Sequence, residues 1–161
     1  MSHRAYIAIG SNLQDPEQQV LRAFAELNNL PQTQLVAQSA LYRTAPVGYA
    51  DQPDFVNAVA EVRTELQASA LLAALFALEN AHGRERSFPN APRVLDLDLL
   101  MYDDLEINSP QLTLPHPRMH ERGFVLFPLA EIAPDLEIPG HGAVHALLKK
   151  LPDQNVRRMA A

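Results

Sequence analysis

Tyr6-Ile-Ala-Ile9 is a short apolar run closed by Gly10-Ser-Asn12, the pattern of a strand running into a turn. Asp15-Pro16-Glu17-Gln18 then supplies an N-cap, a proline at the first helical position and a glutamine at the capping-box position. Val20, Leu21, Phe24 and Leu27 follow at helical spacing, which predicts a first helix. Residues 35–44 and 55–64 read as strands, separated by a loop over 45–53 rich in Pro and Gly. Leu71, Leu75 and Leu78 mark a second helix that Gly83 closes. Residues 84–92 have no periodicity and carry Pro89, so they predict a long mobile loop of the kind that bears function. Residues 95–102 alternate strictly, as a strand does. An apolar run over 124–127 ends at Pro128, a short helical turn is expected over 129–132, and a helix over 143–151. Two strands come together after the first helix, which favours an α+β fold with an antiparallel or mixed sheet over a doubly wound one.

Composition narrows the picture. At 161 residues, 47% of them apolar and 20% charged, the chain fits one globular domain over 1–161 with a core that needs no staples. Thirteen Lys and Arg against nineteen Asp and Glu give a net charge of −6, so the surface as a whole repels a polyanion and nucleic acid is not an expected partner. Cysteine is absent. That excludes disulfides, thiolate-bound zinc, iron–sulfur clusters and a thiol nucleophile, and it agrees with a reducing compartment. The apolar run at the N-terminus is too short for a signal or a membrane span, and the expected location is cytoplasmic. Eleven of the basic residues are Arg, and Arg84, Arg86, Arg93, Arg118 and Arg122 fall in one stretch. Arg forks match phosphate or carboxylate oxygens in pairs, which suggests a local oxyanion site, although scattered surface ion pairs explain the same count.

Leu95-Asp-Leu-Asp-Leu99 is the most informative segment. On a strand, residues two apart share a face, so the leucines enter a core while Asp96 and Asp98 face away with Cα atoms about 6.6 Å apart. Two carboxylates on one face describe either a solvated acidic surface or a cation site. Mg2+ in particular takes one or two carboxylates plus substrate phosphates. Arg93 beside them lets cation, anion and metal converge on one polyphosphate. On the strand over 55–64, Val56, Ala58, Ala60 and Val62 share an apolar face, leaving Phe55 and Asn57 together on the other. An aromatic plane beside a carboxamide can bind a flat heterocycle, or the pair can be packing and a backbone hydrogen bond. His116 with His120, and His141 with His145, have helical metal-ligand spacing. Pro115 and Pro117 forbid an ordinary helix around His116, and neither pair has an obvious third ligand. No glycine-rich phosphate loop is present.

Arg93-Val-Leu-Asp-Leu-Asp98, followed by Leu114-Pro-His116 and by Arg122-Gly-Phe124, resembles the 6-hydroxymethyl-7,8-dihydropterin pyrophosphokinase family of folate biosynthesis. Tyr6-Ile-Ala-Ile-Gly-Ser-Asn12, Tyr42-Arg-Thr44-Ala-Pro-Val-Gly48 and Asp51-Gln-Pro-Asp-Phe55-Val-Asn57 fit in the same order. The resemblance implies a single-domain, ferredoxin-like α+β sandwich with a mainly antiparallel sheet flanked by helices. It implies transfer of diphosphate from ATP to the pterin hydroxymethyl group with release of AMP. It assigns Asp96 and Asp98 to two Mg2+ ions, with Arg84 and Arg93 also catalytic. Arg84, Arg86, Arg93, Thr113, His116 and Arg122 would surround the nucleotide. Phe55 and Phe124 would sandwich the pterin, Asn57 would bond its amide edge, and Thr44, Pro46 and Val47 would complete the pocket. Glu79 looks like a neighbour of the metal site. The loop over 84–92 would close as a lid, here without the Trp that many relatives carry. The expected partners are ATP and the pterin, with no nucleic acid and no membrane, acting on a monomer. The rival readings are a non-catalytic pterin- or nucleotide-binding regulatory domain of the same fold, and a His-ligated metallohydrolase.

Overall fold

The protein is described by a computed structural model that covers residues 2–45, 53–83, 94–152 and 154–159. The chain runs β1 (His3–Ser11), α1 (Pro16–Asn28), β2 (Thr33–Gln38), β3 (Tyr42–Thr44), β4 (Phe55–Thr64), α2 (Ala68–Ala81) and β5 (Asp96–Tyr102). There follow β6 (Ile107–Asn108), β7 (Thr113–Leu114), a 3-10 turn (Met119–Glu121) and α3 (Gly123–Ile132). The chain closes with β8 (Glu137–Ile138), β9 (Gly142–Ala143), α4 (Val144–Lys150) and β10 (Arg157–Arg158).

The main sheet has the order β10-β3-β4-β1-β5, with β2 also paired to β4, and every pair is antiparallel. Helix α1 carries the chain from β1 across β4 to β2, and α2 carries it from β4 across β1 to β5, which is the ferredoxin-like arrangement. One face of the sheet, with Ile7, Ile9, Ala58, Val62, Leu97 and Leu99, packs on Phe24 and Leu27 of α1 and Leu71 and Leu75 of α2. The other face, with Tyr6, Val59 and Met101, packs on Val125, Leu126 and Leu129 of α3 and Val144 of α4. β4 is therefore buried on both sides, because helices cover both. Among the described residues no helix is long and apolar enough to cross a membrane.

Several local expectations are corrected. Residues 35–44 form two strands, β2 and β3. Between them the Ser39 hydroxyl accepts the Val59 N–H at 2.9 Å, and the Ser39 N–H reaches the Val59 carbonyl at 2.9 Å, so a side chain replaces one rung of the ladder. Asp15 does precede α1, but with φ 64 it is left-handed and makes no side-chain cap, because a capping side chain needs extended backbone. Leu21 is exposed, on the outer face of that helix. Strict alternation in β5 fails after Leu99. Leu100 and Met101 both turn to the α3 side, where pairing with β1 shifts between Tyr6 and Ile7. Residues 123–132 form one helix straight through Pro128. Its missing N–H removes one helical bond, a loss of about 3 kcal/mol in an exposed helix, offset here by burial of Val125, Leu126, Pro128 and Leu129.

Candidate active site

Three strands bring the sequence-predicted residues into one row. Gly10 of β1 lies opposite Asn57 of β4 on one side and Asp96 of β5 on the other, and Tyr42 of β3 extends the row beyond Asn57. With strands about 4.8 Å apart, the Cα atoms of Asn57 and Asp96 stand about 9.6 Å apart across Gly10. A cavity opens over this row. Gly10, Thr44, Phe55, Asn57, Asp96, Asp98 and Phe124 line it, together with Ala8, Ile9 and Ala45.

Each lining group is held by its element. The Asn57 side chain is buried and donates from Nδ2 to Thr44 Oγ1 at 2.8 Å, which fixes the amide and leaves Oδ1 on the Gly10 side. A Cβ at Gly10 would stand 3.1 Å from Asn57 Oδ1, so the bare backbone keeps the floor of the cavity open. Phe124 enters from the first turn of α3, and the Arg122 guanidinium lies 5.4 Å from the centre of its ring. Between the two aspartates, the Leu97 N–H on the outer edge of β5 donates to Glu79 Oε2 at 2.7 Å. Glu79 is buried on α2 and so pins the strand that carries both carboxylates.

A second groove meets the first at Asp98. It is bounded by Leu72 and Phe76 of α2, Leu99 of β5, and Gln111, Leu112, Thr113, His116 and Pro117. The His116 amide donates to the Leu100 carbonyl at 2.8 Å, and its Nδ1 accepts the Arg118 N–H at 3.2 Å, which places the ring proton on Nε2. Burial lowers the His116 pKa to about 4, with help from Arg122 and Arg118 and against the pull of Asp96. The ring is thus a neutral donor at ordinary pH, unlike the arginines the sequence grouped it with.

Asp96 and Asp98 are half-buried, and among the described residues no three His, Cys, Asp or Glu side chains gather into a complete metal cage. Two carboxylates at the junction of two open grooves are the donor set of an Mg2+ ion that keeps phosphate and water ligands. His120 stacks on His141 with ring centroids 3.7 Å apart and planes 11° apart, a ring contact that joins one histidine from each of the two spaced pairs. Pro46, Val47, Arg84, Arg86 and Arg93, with the expected lid over 84–92, lie outside the described residues. The sequence reading missed the role of Gly10, which it took for a turn. A glycine within an apolar strand pattern was the available signal. It also missed Leu72, half-buried at the edge of the core, and Phe76, exposed one turn further along α2, because the helical stripe through Leu71, Leu75 and Leu78 already accounts for a buried face.

Residues 6–134 match the family model of 7,8-dihydro-6-hydroxymethylpterin-pyrophosphokinase. The chain is 44% identical over 159 residues to the 2-amino-4-hydroxy-6-hydroxymethyldihydropteridine pyrophosphokinase of Pseudomonas aeruginosa, covering 99% of this chain and 98% of that one. The enzyme of the same name from Haemophilus influenzae is 43% identical, over 96% of this chain and 97% of its own. Among solved structures, an HPPK-DHPS in complex with substrates superposes with a TM-score of 0.77 at 13% identity, over 99% of this chain and 47% of that chain. The wild-type HPPK-DHPS of Plasmodium falciparum with pterin and p-hydroxybenzoate gives a TM-score of 0.73 at 14% identity, over 93% of this chain and 43% of that chain. The chain thus spans under half the length of these solved chains, and the structural match speaks for the fold.

Proposed function

This chain belongs to the 7,8-dihydro-6-hydroxymethylpterin-pyrophosphokinase family, and from that premise we propose that its cavity holds the pterin while Asp96 and Asp98 carry Mg2+ against the phosphates of ATP. The reaction is transfer of diphosphate from ATP to the hydroxymethyl group of the dihydropterin, with release of AMP, in folate biosynthesis. The observation that carries the reading is the row Asn57, Gly10, Asp96. It sets a fixed amide and a carboxylate on strands either side of a bare floor, the one to meet the edge of a flat ring and the other to face the arm at its far end.

In this reading Phe55 and Phe124 take the two faces of the ring and Asn57 takes its amide edge. The hydroxymethyl arm then points along the row towards Asp96. ATP lies in the second groove, its base between the α2 side chains and residues 111–113, its phosphates running past His116 and Arg122 to Asp98. The alcohol oxygen attacks the β-phosphorus, the bond from that phosphorus to the oxygen of the α-phosphate breaks, and AMP leaves with the bonding pair while the alcohol gives up its proton. Mg2+, when bound, neutralises phosphate charge and aligns the two substrates. The chain's own groups orient and exclude water. Neutral His116 donates from Nε2 without competing for the metal, and Glu79 keeps the two aspartates in register. The number of ions is proposed as two. Thr44, Pro46 and Val47 are proposed at the ring, and Arg84, Arg86, Arg93 and Thr113 at the nucleotide, with Arg84 and Arg93 catalytic. The protein is proposed to act as a single-domain cytoplasmic monomer.

The test is direct. Mixed with ATP, Mg2+ and 6-hydroxymethyl-7,8-dihydropterin, the protein should release AMP in step with pterin diphosphate, read by phosphorus NMR. Formation of ADP, or no turnover with tight binding of either ligand, would remove the diphosphotransferase reading and favour the regulatory one.

A further inference from the structure

The cavity walls β3, with Thr44, and α3, with Phe124, are far apart in sequence, and the segment after α4 touches both. Gln154 Oε1 accepts the Gly123 N–H at 2.7 Å, and its Nε2 donates to the Glu121 carbonyl at 3.0 Å. Gly123 opens α3, where amide groups lack helical partners, and Arg122 at the N-cap supplies no side-chain cap. A residue thirty-one positions later therefore caps the helix that carries Phe124. A few residues on, Arg157 and Arg158 pair with Arg43 and Tyr42 as an added strand, and the Met159 N–H donates to the Leu41 carbonyl at 2.8 Å. Gly123 is buried, and a Cβ there would stand 3.1 Å from Gln154 Oε1 and 3.1 Å from Val156 Cγ2. The glycine is what lets the tail close on the helix.

The other end of α3 is tied to the same wall. Glu131 accepts the Tyr42 hydroxyl at 2.7 Å and the Ala40 N–H at 3.0 Å, with the Arg158 guanidinium 3.7 Å from the same carboxylate. Burial and Glu131 push the Tyr42 hydroxyl up to about 12, so it stays a donor. With its last turn anchored to β3, α3 is held at its other end by the core packing of Val125 and Leu126 and by Gln154, and that first turn carries Phe124.

We propose that Gln154 is a positioning residue for the ring-binding cavity: bridging the Glu121 carbonyl and the Gly123 amide, it sets the first turn of α3 and hence the place of Phe124 opposite Phe55. The inference rests on the assignment of Phe124 to the pterin. The second groove is walled by α2, β5 and residues 111–117, none of which Gln154 bonds; Arg122, proposed at the phosphates, is flanked by the two residues that Gln154 bridges and shares in the displacement, so both substrates feel the change and the pterin, which Phe124 of that same turn grips, feels it more.

The experiment compares the full chain with Gln154→Ala, Gln154→Glu and Gln154→Asn in steady-state turnover, and in equilibrium binding followed by pterin fluorescence. Gln154→Ala should raise the KM and the dissociation constant for the pterin about fivefold, the usual scale of a lost cap, and change the KM for ATP by less than about twofold. Gln154→Glu keeps the acceptor for the Gly123 amide and should recover part of the loss. Gln154→Asn is one methylene short of spanning both partners and should behave like Ala, so it serves if the Ala variant does not fold. Unchanged pterin constants, or equal rises for both substrates, overturn the proposal. Failure of the pyrophosphokinase reading would show separately, as unmodified protein that releases no AMP.

Discussion

His116 is a histidine kept from acting as a cation. Burial comes first among the causes, then Arg122 and Arg118, and together they outweigh Asp96 and lower its pKa from 6.5 to about 4. The sign follows from linkage. Between pH 6.5 and about 4 the unfolded chain takes up a proton that the folded one refuses, so this residue's contribution is fully present above pH 6.5 and is lost as pH falls towards 4. In metal-free protein the His116 Cε1 proton should titrate near pH 4 by NMR. The stability gap between the unaltered protein and His116→Gln should narrow over the same fall in pH, and an NMR midpoint near 6.5 would rule the account out. Gly10 works by what it lacks. Gly10→Ala sets a Cβ 3.1 Å from Asn57 Oδ1 and must move the amide proposed to receive the ring. Pterin affinity should fall roughly tenfold, the value of about one good hydrogen bond, with little change for an ATP analogue in calorimetry. Equal losses for both ligands would mean that Gly10 matters to the sheet and not to the cavity.

At the scale of the element, β5 shows how helix and strand divide the labour. Its alternating leucines bury one face, its aspartates occupy the other, and beyond its pairing with β1 it is held by the Glu79 carboxylate and by the His116 amide. Glu79→Ala leaves the buried Leu97 N–H without its acceptor, a loss of about 1–3 kcal/mol. Denaturant unfolding should show that loss, and turnover should drop more than pterin binding because the strand carries the two carboxylates proposed to hold the metal. Full turnover in a destabilised variant would confine Glu79 to folding. What the sequence made legible follows the same division. β4, α2 and the acidic strand were readable because their patterns repeat over several turns or rungs, and Asp96, Asp98, Phe55 and Asn57 because alternation assigns their faces. The break at Ser39 was hidden, since it depends on the Val59 amide across the sheet. The helix through Pro128 was hidden because a run of four apolar residues fits strand or helix equally, and burial on two partners decided it. Gln154 was hidden because its donor Gly123 and its acceptor Glu121 lie thirty-one and thirty-three residues back along the chain.

For the whole molecule, the order of strands is what makes the site. β1 lies between β4 and β5, so Asn57 and the acidic pair meet only when α1 and α2 have both crossed the sheet, and among the described residues Asp98 lines both the groove proposed for the nucleotide and the cavity proposed for the ring. Asp98 is half-buried at the meeting point of the two grooves, where an amide of the same shape fits as the carboxylate does. Asp98→Asn should therefore leave the ligand-free melting temperature unchanged. The unaltered protein, given Mg2+ and a non-hydrolysable ATP analogue at about a hundred times their dissociation constant, should gain about 2.7 kcal/mol, because only the folded chain binds them. In Asp98→Asn most of that gain should vanish and turnover should fall to background, while EDTA should abolish the shift in the unaltered protein and leave the variant as it was. A variant that melts several degrees lower without ligand would show Asp98 to be structural. A variant that keeps the full Mg2+-dependent shift would take the metal away from this strand, and with it the point at which the two grooves meet.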